Sequence, residues 1–149
     1  MHPFFRVVYT FILVTLVGGC ASVSVYEGPG AGYAVTSIAV RSGGPFNTVG
    51  LHFRRRGTGD DRGRLWFSSD VLTVGPKADF DTAQGKGFVG SLRLAPGEYE
   101  IFNVEARYGQ NWFSAKQDFS IPFTVSAGTI TYVGAYTFDA VYGENIFGS

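Results

Sequence analysis

Phe119-Ser120-Ile121-Pro122-Phe123-Thr124-Val125 puts four apolar side chains on one face and Ser120, Pro122 and Thr124 on the other. A period of two marks an antiparallel strand with one buried face. Pro122 has no N–H to donate to a ladder, so this strand belongs at an edge. Just downstream, Ile130, Tyr132, Gly134, Tyr136 and Phe138 share one face of a last clear strand. Upstream the same period recurs. Ala34, Thr36, Ile38 and Val40 lie together. Leu51 and Phe53 point in, with His52 and Arg54 out. Leu65, Phe67 and Ser69 alternate with Trp66, Ser68 and Asp70. Phe88, Leu92 and Leu94 oppose Val89, Ser91 and Arg93.

Turn signals separate these runs: Gly43-Gly44-Pro45, Gly57-Thr58-Gly59-Asp60-Asp61, Gly75-Pro76, Gly85-Lys86-Gly87, Pro96-Gly97 and Ala127-Gly128. Sustained helical periodicity is missing, although Asp79 to Gln84 suits one short helical turn. With 14 Phe, 8 Tyr and 21 Gly in 149 residues, the composition suits pleated surfaces joined by tight turns. The expected class is all-β: an antiparallel β-sandwich of about seven strands, or a small barrel, preceded by an N-terminal hydrophobic signal segment. Twelve basic residues balance twelve acidic ones, so no global field draws in nucleic acid. One cysteine excludes a disulfide framework.

In Ser91-Leu92-Arg93-Leu94-Ala95-Pro96-Gly97-Glu98-Tyr99-Glu100-Ile101, Pro96-Gly97 suits a type II turn between apolar strands. Ile101, Phe102 and Val104 make both faces of the following strand apolar, which predicts a central strand with a bulge. The pattern resembles the leucine–proline–glycine–tyrosine turn of carboxypeptidase-regulatory-like and transthyretin-like β-sandwiches. Phe123-Thr124-Val125 with Gly128-Thr129-Ile130-Thr131-Tyr132-Val133-Gly134 resembles a hairpin of poorly characterised bacterial lipoproteins built on such sandwiches. The resemblance spans about residues 86 to 137. It implies a fold and no activity, because sandwiches host many functions.

The first residues follow another rule. Arg6 supplies a short basic start, Val7 to Val17 an apolar run too short to span a bilayer, and Gly18-Gly19 the small residues before Cys20. Val17-Gly18-Gly19-Cys20 resembles the lipobox of bacterial lipoproteins, with Val17 where leucine is usual. That resemblance implies cleavage between Gly19 and Cys20, diacylglycerol on the Cys20 thiol and acylation of the new amine. Ala21, rather than Asp, implies transport to the outer membrane where the cell has one. The expected organisation is a lipoprotein signal peptide at 1–19, the lipidated Cys20 and a short turn-rich tether at 20–32, and the sandwich at 33–149. The terminal Glu144-Asn145-Ile146-Phe147-Gly148-Ser149 either adds a last strand or continues into a longer chain.

Candidate sites are few. His52 is the one histidine after Cys20 and sits at an outward strand position, so no zinc set forms around it. No G-x-S-x-G elbow occurs. Asp79-Phe80-Asp81 before Gly85 has calcium-loop spacing without the distal glutamate. Arg54, Arg55 and Arg56, with Arg62 and Arg64, form a basic cluster. It either contacts phosphate-bearing lipid or another anionic envelope polymer, or pairs with Asp60 and Asp61 across the turn. Tyr108-Gly109-Gln110-Asn111-Trp112-Phe113 is an aromatic hairpin tip. Tyr108, Trp112 and Phe113 either anchor a partner protein, a glycan or the membrane interface, or cap the sandwich end.

These readings favour a lipid-anchored, non-enzymatic envelope module that binds or supports an assembly, with no cofactor or metal. Its expected partners are the membrane, through Cys20, and another envelope protein or a glycan, and no nucleic acid. The alternatives are a glycan or small-ligand binder using the Trp112 loop and an envelope hydrolase with an unrecognised site. An exposed Trp112 beside polar groups marks the former; a cleft where His52 meets a carboxylate and a hydroxyl marks the latter. Replacing Cys20 by alanine should release the protein from membranes or stall its processing, as read by cell fractionation and intact mass; unchanged attachment and maturation would refute the anchor.

Overall fold

The computed structural model describes residues 26–58, 62–69 and 77–140. The leader, Cys20, the Asp60-Asp61 and Gly75-Pro76 turns and residues 141–149 lie outside the described residues. Nine strands follow in order: β1 (Gly32–Arg41), β2 (Thr48–Arg55), β3 (Arg62–Ser68), β4 (Phe80–Asp81), β5 (Gly85–Leu94), β6 (Gly97–Tyr108), β7 (Asn111–Ser114), β8 (Ile121–Val125) and β9 (Ile130–Phe138). They form two sheets. One has the order β4-β5-β1-β9. In the other, β3-β2-β6 runs on to β7, and β8 pairs with the opposite end of β6. The architecture is the expected β-sandwich and not a barrel. Two strands, β4 and β7, are too short to leave a periodic signature, so about seven were legible.

The chain alternates between sheets. β2–β3, β4–β5 and β6–β7 are antiparallel neighbours within one sheet. β1 lies antiparallel to β5 and parallel to β9, which closes the fold around its first strand. The core is the space between the inner faces. Ile38, Val40, Val49, Leu51, Phe67, Phe88, Ile101 and Ala106 form one cluster. Ala34, Phe53, Leu92, Leu94, Tyr99 and Val125 form the other. Phe67 of β3 stacks on Phe88 of β5 across the sandwich at 5.8 Å between centroids.

The alternation holds along β1, β2 and β5, where Ala34, Thr36, Ile38, Leu51, Phe53, Phe88, Leu92 and Leu94 are all buried. β8 pairs only with β6, so Pro122 does occupy an edge strand. β6 is central and bulged as expected. His52 faces Asn103 while Phe53 faces Ile101, leaving Phe102 as the extra residue. Both Phe102 and Asn103 then point outward, and the inward set changes from Tyr99 and Ile101 to Val104 and Ala106.

Three local expectations are corrected. First, β9 does not keep one face. Val35 pairs with Tyr132 but Thr36 pairs with Gly134, so Val133 is a bulge residue. Ile130 and Tyr132 point to solvent, whereas Val133, Tyr136 and Phe138 pack on the core. Gly134 sits at φ 133°, open to glycine and costly for other residues. Second, Pro96-Gly97 is not a type II turn. Gly97 lies at φ 157°, far from the roughly +80° of that turn, because the chain crosses there from β5 in one sheet to β6 in the other. The crossing is held by the Tyr99 hydroxyl, which donates to the Ala95 carbonyl at 3.0 Å, the geometry of a tyrosine corner. Third, residues 79–84 form no helical turn. Phe80 and Asp81 pair with β5 instead, and Asp79 Oδ2 accepts from the Val89 amide at 2.7 Å.

In urea unfolding, Tyr99→Phe should cost about 1 kcal/mol, the usual net worth of one hydrogen bond. Phe67→Ala should cost about 3–5 kcal/mol, because its ring is fully buried. Equal losses from the two would contradict this division.

Candidate functional site

The outer face of the β3-β2-β6 sheet gathers polar side chains that lie far apart in sequence. Cross-strand register places them. Gly50 of β2 faces Trp66 of β3 on one side and Glu105 of β6 on the other. At the edge, Arg107 faces Trp112 of β7. Between the two indoles lies a shallow groove of about 190 Å³, lined by Thr48, Arg64, Trp66, Glu105, Arg107 and Trp112. Gly50 makes room for its acid. A Cβ there would stand 2.8 Å from Glu105 Oε1, so any side chain would push the carboxylate aside. The Glu105 carboxylate instead accepts from Arg64 Nη1 at 2.8 Å and meets His52 Nε2 at 3.1 Å. Arg64 stands over the Trp66 ring and Arg107 over the Trp112 ring, at 5.9 and 5.6 Å from the centroids.

A second polar cluster adjoins the groove. Arg54 Nε donates to Glu100 Oε1 at 2.7 Å and Arg54 Nη1 to Asp118 Oδ2 at 2.9 Å. The Ser120 hydroxyl donates to Glu100 Oε2 at 2.6 Å, and Asn103 Nδ2 donates to Asp118 Oδ1 at 3.1 Å. The Arg54 guanidinium lies 4.4 Å above the outward Phe102 ring, near enough for a cation–π contact. Hydrogen bonding sets the acidity of both carboxyls. Ser120 first, then Arg54, hold Glu100 below the usual carboxylate range; Asn103 first, then Arg54, do the same for Asp118. Glu100 in turn raises Arg54.

The sequence candidates are thus sorted by place. Trp112 is 57% exposed on the groove side. Phe113, the next residue, faces Ala106 across the hairpin and packs edge-on against Phe46 at 6.1 Å, at the rim of the core. Tyr108 is exposed at the hairpin end, where Gly109 (φ 58°) takes the first central position of a two-residue turn. Arg54 and Arg56 share the outer face, and Arg56 Nε approaches Glu100 Oε2 at 3.8 Å. Arg55 points away and donates to the Pro96 carbonyl at 3.0 Å. Among the described residues, Glu100, Glu105 and Asp118 are acidic neighbours of this arginine cluster; pairing with Asp60 and Asp61 lies outside the described residues. His52 meets a carboxylate, but among the described residues no hydroxyl hydrogen-bonds to it. Asp81 of the calcium-like stretch pairs with Lys86 at 3.2 Å.

Sequence reasoning missed Thr48, Trp66, Glu105 and Arg107 as site residues. Each occupies an outward position of its strand, and only strand pairing brings them together.

Comparison with protein-family models finds no match, and comparison with the curated proteins finds none either. Among solved structures the chain is similar to a leucine-rich repeat protein from Bacteroides thetaiotaomicron VPI-5482, at 12% identity and a TM-score of 0.45, over 76% of this chain and 14% of that one. A likeness at that level assigns neither fold nor function.

Because both carboxyls titrate lower in the folded chain, their stabilising contribution is present above the ordinary carboxylate range and is lost as pH falls through the folded values. Glu100→Gln should therefore flatten the acid limb of a urea-midpoint-against-pH profile; an unchanged limb would show that the Ser120–Glu100–Arg54 bonds do not govern it.

Proposed function

We propose that this chain is a lipid-anchored protein of the bacterial cell envelope, at the periplasmic face of the outer membrane where one exists, and that its sandwich binds a glycan without catalysing a reaction on it. The groove between Trp66 and Trp112 carries the binding half of this reading. An indole offers a broad apolar face to the C–H face of a sugar ring, while adjacent planar polar groups satisfy the ring hydroxyls. Glu105 accepts, and the two guanidinia in the lining donate in forked pairs. Two guanidinia against one carboxylate favour a glycan that itself carries carboxylates.

The groove is smaller than the roughly 300–1,000 Å³ of pockets that enclose a drug-sized ligand. That size suits one or two rings of a polymer laid across the strands. A weak site of this kind benefits from tethering, since an anchor at Cys20 holds it at high local concentration near its polymer. The leader supports the anchoring half: an apolar run, small residues and then the sole cysteine.

Tryptophan fluorescence titrated with a panel of neutral and uronate-containing oligosaccharides tests the reading. At least one should bind, and Trp112→Ala should weaken it about 30-fold, the weight of a central aromatic anchor worth around 2 kcal/mol. Trp66→Ala should act in the same direction. Absence of binding across the panel, or binding indifferent to both substitutions, would contradict the proposal.

A further inference from the structure

The opposite side of the sandwich is chemically unlike the groove side. On the outer face of the β4-β5-β1-β9 sheet, Tyr33 is 42% exposed, Tyr132 63% and Ile130 74%. Register makes them one patch: Tyr33 pairs with Ile130, and Val35 with Tyr132. Val89 continues the patch along β5, opposite Ser37. The Tyr132 hydroxyl lies 3.5 Å from Ser37 Oγ, so its ring reaches across toward β1. On the groove side, by contrast, exposed aromatics stand among ion pairs.

The patch sits where the described chain begins. The Tyr26 amide donates to the Arg93 carbonyl at 3.1 Å, and Arg93 is the cross-strand partner of Tyr33. Five residues lie between Cys20 and Tyr26, which makes six steps along the chain, and each step reaches at most about 3.3–3.6 Å. Acyl chains on Cys20 therefore enter a bilayer within about 20–22 Å of Tyr26, beside this patch.

We infer that this face lies on the lipid surface, with Tyr33, Ile130 and Tyr132 at the headgroup level, so that the Trp66–Trp112 groove opens away from the bilayer. The inference rests on the anchoring at Cys20 proposed above. Tyrosine rings pair an apolar body with a polar tip and suit the membrane–water boundary. Arg93, the β5 partner of Tyr33 on the side away from Ile130, adds a charge that anionic headgroups attract. The patch needs little affinity of its own, because the tether fixes it close to its target.

The test uses the full lipidated chain in vesicles of phosphatidylethanolamine and phosphatidylglycerol, with and without brominated acyl chains. In a Tyr132→Trp variant, the emission added by the new indole should be largely lost in brominated vesicles. Emission of the parent, from Trp66 and Trp112, should be unchanged. Ile130→Trp provides a second reporter if the first variant folds poorly. Vesicle flotation and the acyl mass on Cys20 read the anchor separately. An acylated, floating chain whose introduced indoles stay bright would overturn the face assignment alone. A bare thiol on a chain that does not float would overturn the anchor and this inference with it. Unquenched indoles in a protein that sediments as a dimer would give the face to a second copy and also overturn the inference.

Discussion

One extra residue in β6 sets the phase of what is built around it. A strand twelve residues long and perfectly alternating would keep one set of side chains inward throughout. Here Phe102 is inserted between the partners of His52 and Phe53, so Tyr99 and Ile101 point in before it and Val104 and Ala106 after it. Both halves of β6 therefore contribute to the core. The insertion also sends Phe102 and Asn103 out together. Phe102 becomes the platform under Arg54, and Asn103 reaches Asp118. Glu105 falls opposite Gly50, where the missing side chain lets it lie across β2 toward His52 and Arg64. Bulges of this kind increase twist and re-aim side chains.

A second bulge, at Val133 in β9, does similar work on the other sheet. It sends Ile130 and Tyr132 outward while leaving Val133, Tyr136 and Phe138 against the core. The sandwich therefore has two dissimilar outer faces. One is a field of paired charges with aromatic platforms. The other is an apolar and tyrosine-rich patch at the start of β1. The groove-side ion pairs are partly solvated, and their value lies in holding guanidinia and carboxylates in fixed directions more than in stability.

The parts of this architecture visible in the sequence are those governed by a strict period of two. Ala34 to Val40, Leu51 and Phe53, and Phe88 to Leu94 run without interruption, so their inner faces could be named residue by residue. β6 was recognisable as central because apolar residues occur on both parities near Tyr99. The two faces of β9 are not legible in the sequence, because a bulge preserves composition while shifting phase, and Gly134 looks like any other small residue in a strand. The conformation at Pro96-Gly97 is not legible in the dipeptide, because it depends on which sheet the chain enters next. The candidate site was half legible. Trp112 and Arg54 stand out by type, but Trp66, Glu105 and Arg107 acquire meaning only through long-range register, which a local pattern does not encode.

The phase of β6 is open to direct measurement. Nuclear Overhauser contacts of the Phe102 ring in the intact protein report which side of the sheet it occupies. With the bulge in place, the ring contacts the Arg54 and Arg62 side chains, and Ile101 and Val104 on either side of it contact the core. A Phe102 ring in contact with Leu51 or Phe53, with Val104 facing solvent, would remove the bulge and with it the alignment of Gly50, Glu105 and the two indoles.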